Sequence, residues 1–318
     1  MLNLKTRQYI YLDLKDWITL SKDYYNKKQE EYSSELNWVF EKIVDGRICF
    51  PLVDTLFLEF FKNNSYSRRY RLAKIMSSLS LGYIIADKRT RLAHETRIAL
   101  SKSFKNNNMV KTQSIIIRGF PRAFASDEIL AKLVGFNKNR LTRIIESCDN
   151  VDSWIDYFIT VDEETRQYLM DKFRKSNQKH TEMLESFRKS SENKDLLLRT
   201  YFARLFMDNQ TTILQIANDD YGISKSDLLE IDIASFISNI PSFEIEAKLT
   251  IESMKQKSRK LATNDCYDIS SLATAIPYCS IIITEAFWVD LCLRLGFDKK
   301  YKCIFLKNYR QLPNCIKC

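Results

Sequence analysis

Five carboxylates in this chain stand where their neighbours are apolar. Asp13 closes the run 8-QYIYLDL-14, and Glu59 sits in 55-TLFLEFFKN-63 between Leu56, Leu58, Phe60 and Phe61. Asp265 and Asp268, one helical turn apart on one face, enter the stretch 264-NDCYDISSLATAIPYCSIIITEAFW-288, and Glu285 follows its isoleucine run after Thr284. Acids converging from distant segments repel one another unless a hard cation neutralises them. Mg²⁺ or Mn²⁺ is the ordinary occupant, held by one or two carboxylates plus waters and substrate phosphate oxygens. With no Gly-rich phosphate loop and no catalytic His or Ser constellation, such a set suits activation of water for in-line attack on a phosphodiester.

Each acid also has a structural role open to it. Asn264 or Asp265 can cap the helix that follows, with Asp268 facing its dipole from the first turn, worth about 1 kcal/mol together. Glu59 can pair with Arg68, Arg69 or Arg71. Asp13 can cap the next helix and Asp16 can serve as a simple N-cap, but only Asp13 lies at a strand end. Glu95 and Arg71 either line the site or form ion pairs. Trp17, Trp288 and Tyr278 read as core, because rings that stack on bases must be exposed.

The elements that position these acids follow from pattern. Six glycines and five prolines in 318 residues leave few turns, so the chain reads as mostly helical. Residues 8 to 14 read as a buried strand ending at Asp13, and residues 18 to 45 as helix stopped by Gly46. Arg47 to Leu52 is a short second strand, capped by Asp54 or Thr55 into the helix that carries Glu59. An amphipathic helix over 66–82 ends on Gly82. Ser280 to Thr284 is a buried strand, Phe287 to Leu295 a helix stopped by Gly296, and Lys302 to Leu306 a final strand. Strand, helix, strand, helix and strand with short links predict a parallel α/β sheet whose two halves flank a long helical insertion. In such sheets the functional crevice lies beyond the C-terminal strand ends, where Asp13 and Glu285 fall. The core is expected over residues 1–100 and 241–318, and the mostly α-helical insertion over 101–240. Its very polar helix, around 172–195, either projects from the body or covers a partner surface.

Composition bounds the rest. Hydrophobic residues make up 45% and charged residues 28%, a globular profile large enough for one big domain or two modest ones. No apolar run approaches the ~20 residues that span a bilayer, and the N-terminus shows no leader pattern, so the expectation is a cytoplasmic protein without a membrane segment. Eight cysteines, mostly in apolar runs, read as reduced thiols. Cys315-x-x-Cys318 is half a zinc knuckle, but no second pair accompanies it and His94 and His180 are isolated. The net charge of +9 favours a polyanionic partner, although its lysines and arginines are spread along the chain.

Taken together, Tyr11-Leu12-Asp13 with Trp17 after it, the acid in an apolar helix after a short strand and proline (Pro51 to Glu59), and Asn264-Asp265-x-x-Asp268-x-x-x-Leu272-x-x-Ala275-x-Pro277-Tyr278-Cys279 followed by a strand ending Thr284-Glu285 resemble a PIN-like nuclease domain. The segment 68-RRYRLAKIMSSLSLG-82 also looks like the helix after the second acid in bacterial PIN-like proteins with large helical inserts. The resemblance covers about half the chain, at both ends. It implies a three-layer α/β fold with a central parallel sheet, and a metal-dependent ribonuclease in which Asp13, Glu59 and Asp268 ligate Mg²⁺ or Mn²⁺. Asp265 and Glu285 are auxiliary, as ligands or through water. Two departures stand out: Leu14-Lys15 replaces the Thr-Asn that often follows the first acid, and Thr284-Glu285-Ala286 replaces Thr-x-Asp. Either Glu285 compensates from the neighbouring position or the site holds one metal tightly. The expected activity is endoribonuclease cleavage of RNA, as a toxin or antiviral effector in bacterial defence, with a homodimer or regulatory partner docking on the insertion. The alternative is a catalytically weak PIN-like module that binds RNA or protein. A haloacid-dehalogenase-like phosphatase is disfavoured, since Asp13-Leu14-Lys15 lacks the second Asp such enzymes use.

Overall fold

The computed structural model describes residues 7–26, 32–104, 114–147, 161–190, 193–255 and 264–316. The fold is mixed α/β and mostly helical, with a four-stranded parallel sheet. Its chain divides into two compact units: Met1–Ala86, Ile116–Phe173 and Tyr278–Cys318 form unit 1, while Asp87–Ile115 and Arg174–Pro277 form unit 2. The expected core segments are thus distributed over both, because 87–100 and 241–277 group with helices of the expected insertion.

Unit 1 contains the sheet, in the order β2-β1-β5-β6 with β1 at Gln8–Leu12, β2 at Ile48–Cys49, β5 at Ile281–Ile283 and β6 at Ile304–Leu306. Three consecutive isoleucines make β5 because a central parallel strand is buried on both faces and needs no polar alternation. Their register opposite Ile10, Tyr11 and Leu12 brings the ends of β1 and β5 level. Helix α1 (Leu14–Tyr24) buries Trp17 and Leu20, α2 (Ser34–Val44) buries Leu36 and Val39, and the helix Ala286–Arg294 buries Trp288, Leu291 and Cys292. The single helical segment expected over 18–45 is therefore two helices.

Unit 1 also holds α3 (Asp54–Phe60), α4 (Tyr66–Ser80) and a two-stranded antiparallel sheet of β3 (Tyr83–Ile85) and β4 (Ile116–Arg118). The expectation of an almost wholly helical 101–240 is corrected here. Ile115, Ile116 and Ile117 are β-branched, and the strand is terminated by Gly119 at φ 103. A Cβ on Gly119 would come within 2.2 Å of Ile145 Cγ2 in the helix Lys138–Ser147, so the close approach requires glycine. The long helix Glu163–Ser190 is tied down near its start, where buried Arg166 donates from Nη1 to the Phe61 carbonyl at 2.7 Å.

Unit 2 is helical among its described residues. The helices Lys88–Ser103, Lys194–Tyr221, Ile233–Ser238 and Pro241–Lys255 share a core that includes Leu92, Phe202, Leu205, Ile213, Phe236 and Phe243. The helix Asp265–Ala275 packs against Pro241–Lys255. No helix among the described residues is long and apolar enough to cross a membrane.

Candidate functional site

The sheet order places β1 and β5 side by side at its centre, and the chain leaves β1 toward β2 but leaves β5 toward β6. That is a topological switch point, where open α/β sheets leave a crevice beyond the strand ends. Asp13 and Thr284 stand on its two sides. The Asp13 N–H continues the ladder to Ile283 O at 3.1 Å, and the Thr284 hydroxyl donates to Asp13 Oδ2 at 3.4 Å.

Asp13 is the N-cap residue of α1, but its side chain makes no capping bond to the helix; its carbonyl accepts from the N–H groups of Asp16 and Trp17 instead. The carboxyl is therefore not consumed by the structural role open to it. Only 8% of the residue is exposed. Burial first, and then the Glu59 carboxylate, push it up to about 7; the Leu14 N–H opposes the rise, while Glu285 and Asp16 add to it.

Glu59 lies in the last turn of α3, largely covered, and pairs with Lys62 at 3.3 Å rather than with an arginine of α4. Arg69 donates to the Asn63 carbonyl at 2.8 Å, and Arg71 lies over the Tyr25 ring at 5.3 Å. Burial raises the Glu59 carboxyl, Lys62 opposes the rise and Glu285 adds to it. Glu285 itself is exposed at the start of the helix Ala286–Arg294 and does not cap it with its side chain.

Asp16 is the acid that sequence reasoning treated as a cap and missed. It is buried, its Oδ1 accepts from the Tyr309 N–H at 3.2 Å, and its carboxyl is raised, by burial above all. The available signal was its spacing from Asp13, the same three residues that separate Asp265 from Asp268.

Asp265 and Asp268 occupy the first turn of Asp265–Ala275, Asp265 buried and Asp268 half-buried. The Asn264 side chain makes no capping bond; its carbonyl accepts from the Tyr267 and Asp268 N–H groups. Both acids belong to unit 2, where the Cys266 thiol is pushed up to about 11 by burial first and then by Asp265, Glu246 and Asp268, with a hydrogen bond from Thr181 opposing. Glu246 in turn accepts from the Tyr201 hydroxyl at 3.1 Å. Glu95 is also in unit 2, buried, with Oε2 accepting from Ser242 N at 2.9 Å and Ser242 Oγ at 2.5 Å, which satisfies the start of Pro241–Lys255. Trp17 and Trp288 are fully buried core residues and Tyr278 is half-buried. Cys318 lies outside the described residues; Cys315 is a free thiol.

In unit 1, Glu59, Glu285 and Asp16 thus all act electrostatically on Asp13, and in unit 2, Asp265, Asp268 and Glu246 act on the Cys266 thiol. Among the described residues no group of three or more His, Cys, Asp or Glu side chains is arranged to hold a metal ion. The donors in unit 1 are all oxygens, and Asp13 is a buried carboxyl whose ionisation is opposed by its surroundings. Such a set fits a hard divalent cation bound by one or two carboxylates with the remainder water, and does not fit a three-carboxylate cage. Compared with known proteins, the chain matches no family model, no curated protein and no solved structure.

Proposed function

We propose that this chain is a metal-dependent endoribonuclease with a PIN-like core, whose reaction centre lies beyond the ends of β1 and β5. The observation that carries the reading is Asp13: a carboxyl at the switch point whose side chain does not cap α1, raised to about 7 by burial first and then by Glu59, with Glu285 adding to the rise. Asp13 and Glu59 would hold Mg²⁺ or Mn²⁺. When bound, such an ion supplies charge neutralisation at the phosphate and a water acidic enough to ionise near neutral pH.

The remaining roles belong to the chain. The Thr284 hydroxyl fixes the orientation of the Asp13 carboxyl. Glu285, exposed beside it, is the carboxylate placed to accept a proton from an attacking water. Lys62, paired with Glu59, opposes the burial that raises the Glu59 carboxyl. Ligation by Asp268, with Asp265 as auxiliary, rests on the sequence pattern. The basic balance of the chain supports RNA as partner, and a role as toxin or antiviral effector in the cytoplasm belongs to the same proposal.

A second reading, a PIN-like module that binds RNA or protein without efficient cleavage, is favoured by the lack of a three-carboxylate group among the described residues. Pooled total RNA incubated with the wild-type protein and with Asp268→Asn, each in Mn²⁺, Mg²⁺ or EDTA, separates the two. The nuclease yields metal-dependent fragments that Asp268→Asn loses. RNA bound but intact in every condition selects the module.

A further inference from the structure

Unit 1 carries a pocket of about 570 Å³ between the second half of α1 and the first half of α4. Lys22, Arg68 and Arg71 line it, all three exposed and none in an ion pair among the described residues. Asp23, the acid in the lining, is already neutralised: its Oδ2 accepts from Arg310 Nη2 at 2.7 Å and from the Tyr309 hydroxyl. Three cations therefore face the pocket without a counter-charge.

Two further features point to a ligand. Tyr25, also in the lining, has a buried hydroxyl with no hydrogen-bond partner among the described residues, and its ring lies under the Arg71 guanidinium. A buried unsatisfied donor calls for a missing partner. Asn63, also in the lining, uses Oδ1 to accept from the Ser65 N–H, and its NH₂ makes no bond among the described residues. Cations, a phenol and an amide donor together form a set for a phosphoryl group, with room for the nucleoside attached to it.

The pocket is also connected to the acids by two short routes. Asp13 is the N-cap residue of α1, and the first α1 residue in the lining, Ile18, lies about 7.5 Å further along at 1.5 Å per residue. Glu59 is followed by the loop that delivers Asn63.

We infer that this pocket seats the phosphate of a nucleotide, supplied by a single strand of RNA running from the pocket to the acids. The assignment deepens the nuclease reading and rests on it for the choice of RNA. The chemistry recognised is the phosphoryl group, so a free nucleotide is the other source.

The test is fluorescence anisotropy of a labelled oligouridylate on the full chain in EDTA, where cleavage is switched off. The proteins compared are wild type, Arg68→Gln with Arg71→Gln, and Lys299→Gln with Lys300→Gln as an exposed cationic pair elsewhere in unit 1. Expected is a loss of about tenfold or more for the pocket pair and less than about twofold for the control, with the salt dependence of log K falling by about 0.7, the contribution of the one single-strand phosphate the pocket seats. Adenosine monophosphate and inorganic phosphate are titrated in parallel. Mononucleotide binding that Arg68→Gln with Arg71→Gln abolishes, without oligouridylate binding, keeps the phosphate pocket and names the free nucleotide as its source. Binding of neither probe, or equal losses in the pocket and control pairs, overturns the inference. Failure of the nuclease reading looks different: wild type binds and the pocket variant does not, yet no metal yields fragments.

Discussion

Asp13→Asn should make the protein more stable at neutral and alkaline pH, and the size of the effect follows from the environment of the carboxyl. Its ordinary value of 3.8 is raised to about 7 in the fold. At about 1.4 kcal/mol per pH unit, ionising Asp13 in the folded chain costs about 4 kcal/mol more than in the unfolded chain. Because the folded value is the higher one, the protonated carboxyl's contribution is complete below pH 3.8 and is lost as pH rises through 7. Asparagine mimics the protonated form at every pH. The two proteins should therefore have matching stability near pH 4, and the variant should lead by as much as about 4 kcal/mol above pH 7. Urea unfolding followed by tryptophan fluorescence reads this out, since Trp17 and Trp288 are fully buried in unit 1. Millimolar Mg²⁺ or Mn²⁺ should narrow the gap at pH 8, because a cation that binds only the folded, ionised site stabilises wild type alone. A stability difference that stays constant from pH 4 to pH 8 would refute the reasoning.

Three further perturbations follow from the same geometry. Glu59→Gln removes the largest electrostatic cause of the rise at Asp13, so the stability loss of the wild type should move to lower pH in the same urea series; an unmoved midpoint would separate the two acids. Gly119→Ala combines a backbone strained at φ 103 with a Cβ 2.2 Å from Ile145 Cγ2, and should lower stability by about 2–4 kcal/mol. Adding Ile145→Ala should restore only the steric part of the melting temperature, and an unchanged melting temperature for Gly119→Ala alone would count against the packing. Glu95→Ala strips Ser242 of its buried acceptor and should cost about 2–3 kcal/mol, read as an earlier loss of helical circular dichroism, while Glu95→Gln retains much of that stability.

The parts of this molecule legible in sequence are those fixed by local rules. A run of three isoleucines between small polar residues has few options besides a buried strand, and Ile281–Ile283 is one. Pro241 opens a helix and Gly296 follows one, as their backbone preferences require. The strand Ile116–Arg118 escaped because it is three residues long within a helical context, and its partner lies more than thirty residues away across the helix Lys88–Ser103. Nor did periodicity show which helices would pack with which: Asp87–Ile115 joins Arg174–Pro277 through long-range apolar contacts that leave no local signature.

The site divides in the same way. Asp13 was legible because an acid at the end of an apolar strand has few explanations. Its electrostatic coupling to Glu59 followed from the resemblance and was visible in neither segment alone. Asp16 was obscured by a plausible capping role, although its actual partner, Tyr309, lies 293 residues away. Arg68 and Arg71 were read as ion-pair candidates for Glu59, with Arg71 also open to lining the acid site, and Lys22 carried no local signal. Only the packing of α1 against α4 places them around one pocket.

The central claim is tested most directly by single-turnover cleavage of one end-labelled, single-stranded RNA in Mn²⁺, comparing wild type with Asp13→Asn at matched saturation. A group acting at the reacting phosphate should be worth about two to three orders of magnitude in rate while RNA affinity in EDTA stays the same. Equal rates for the two proteins, or cleavage that persists in EDTA, would contradict a metal-dependent centre built on Asp13.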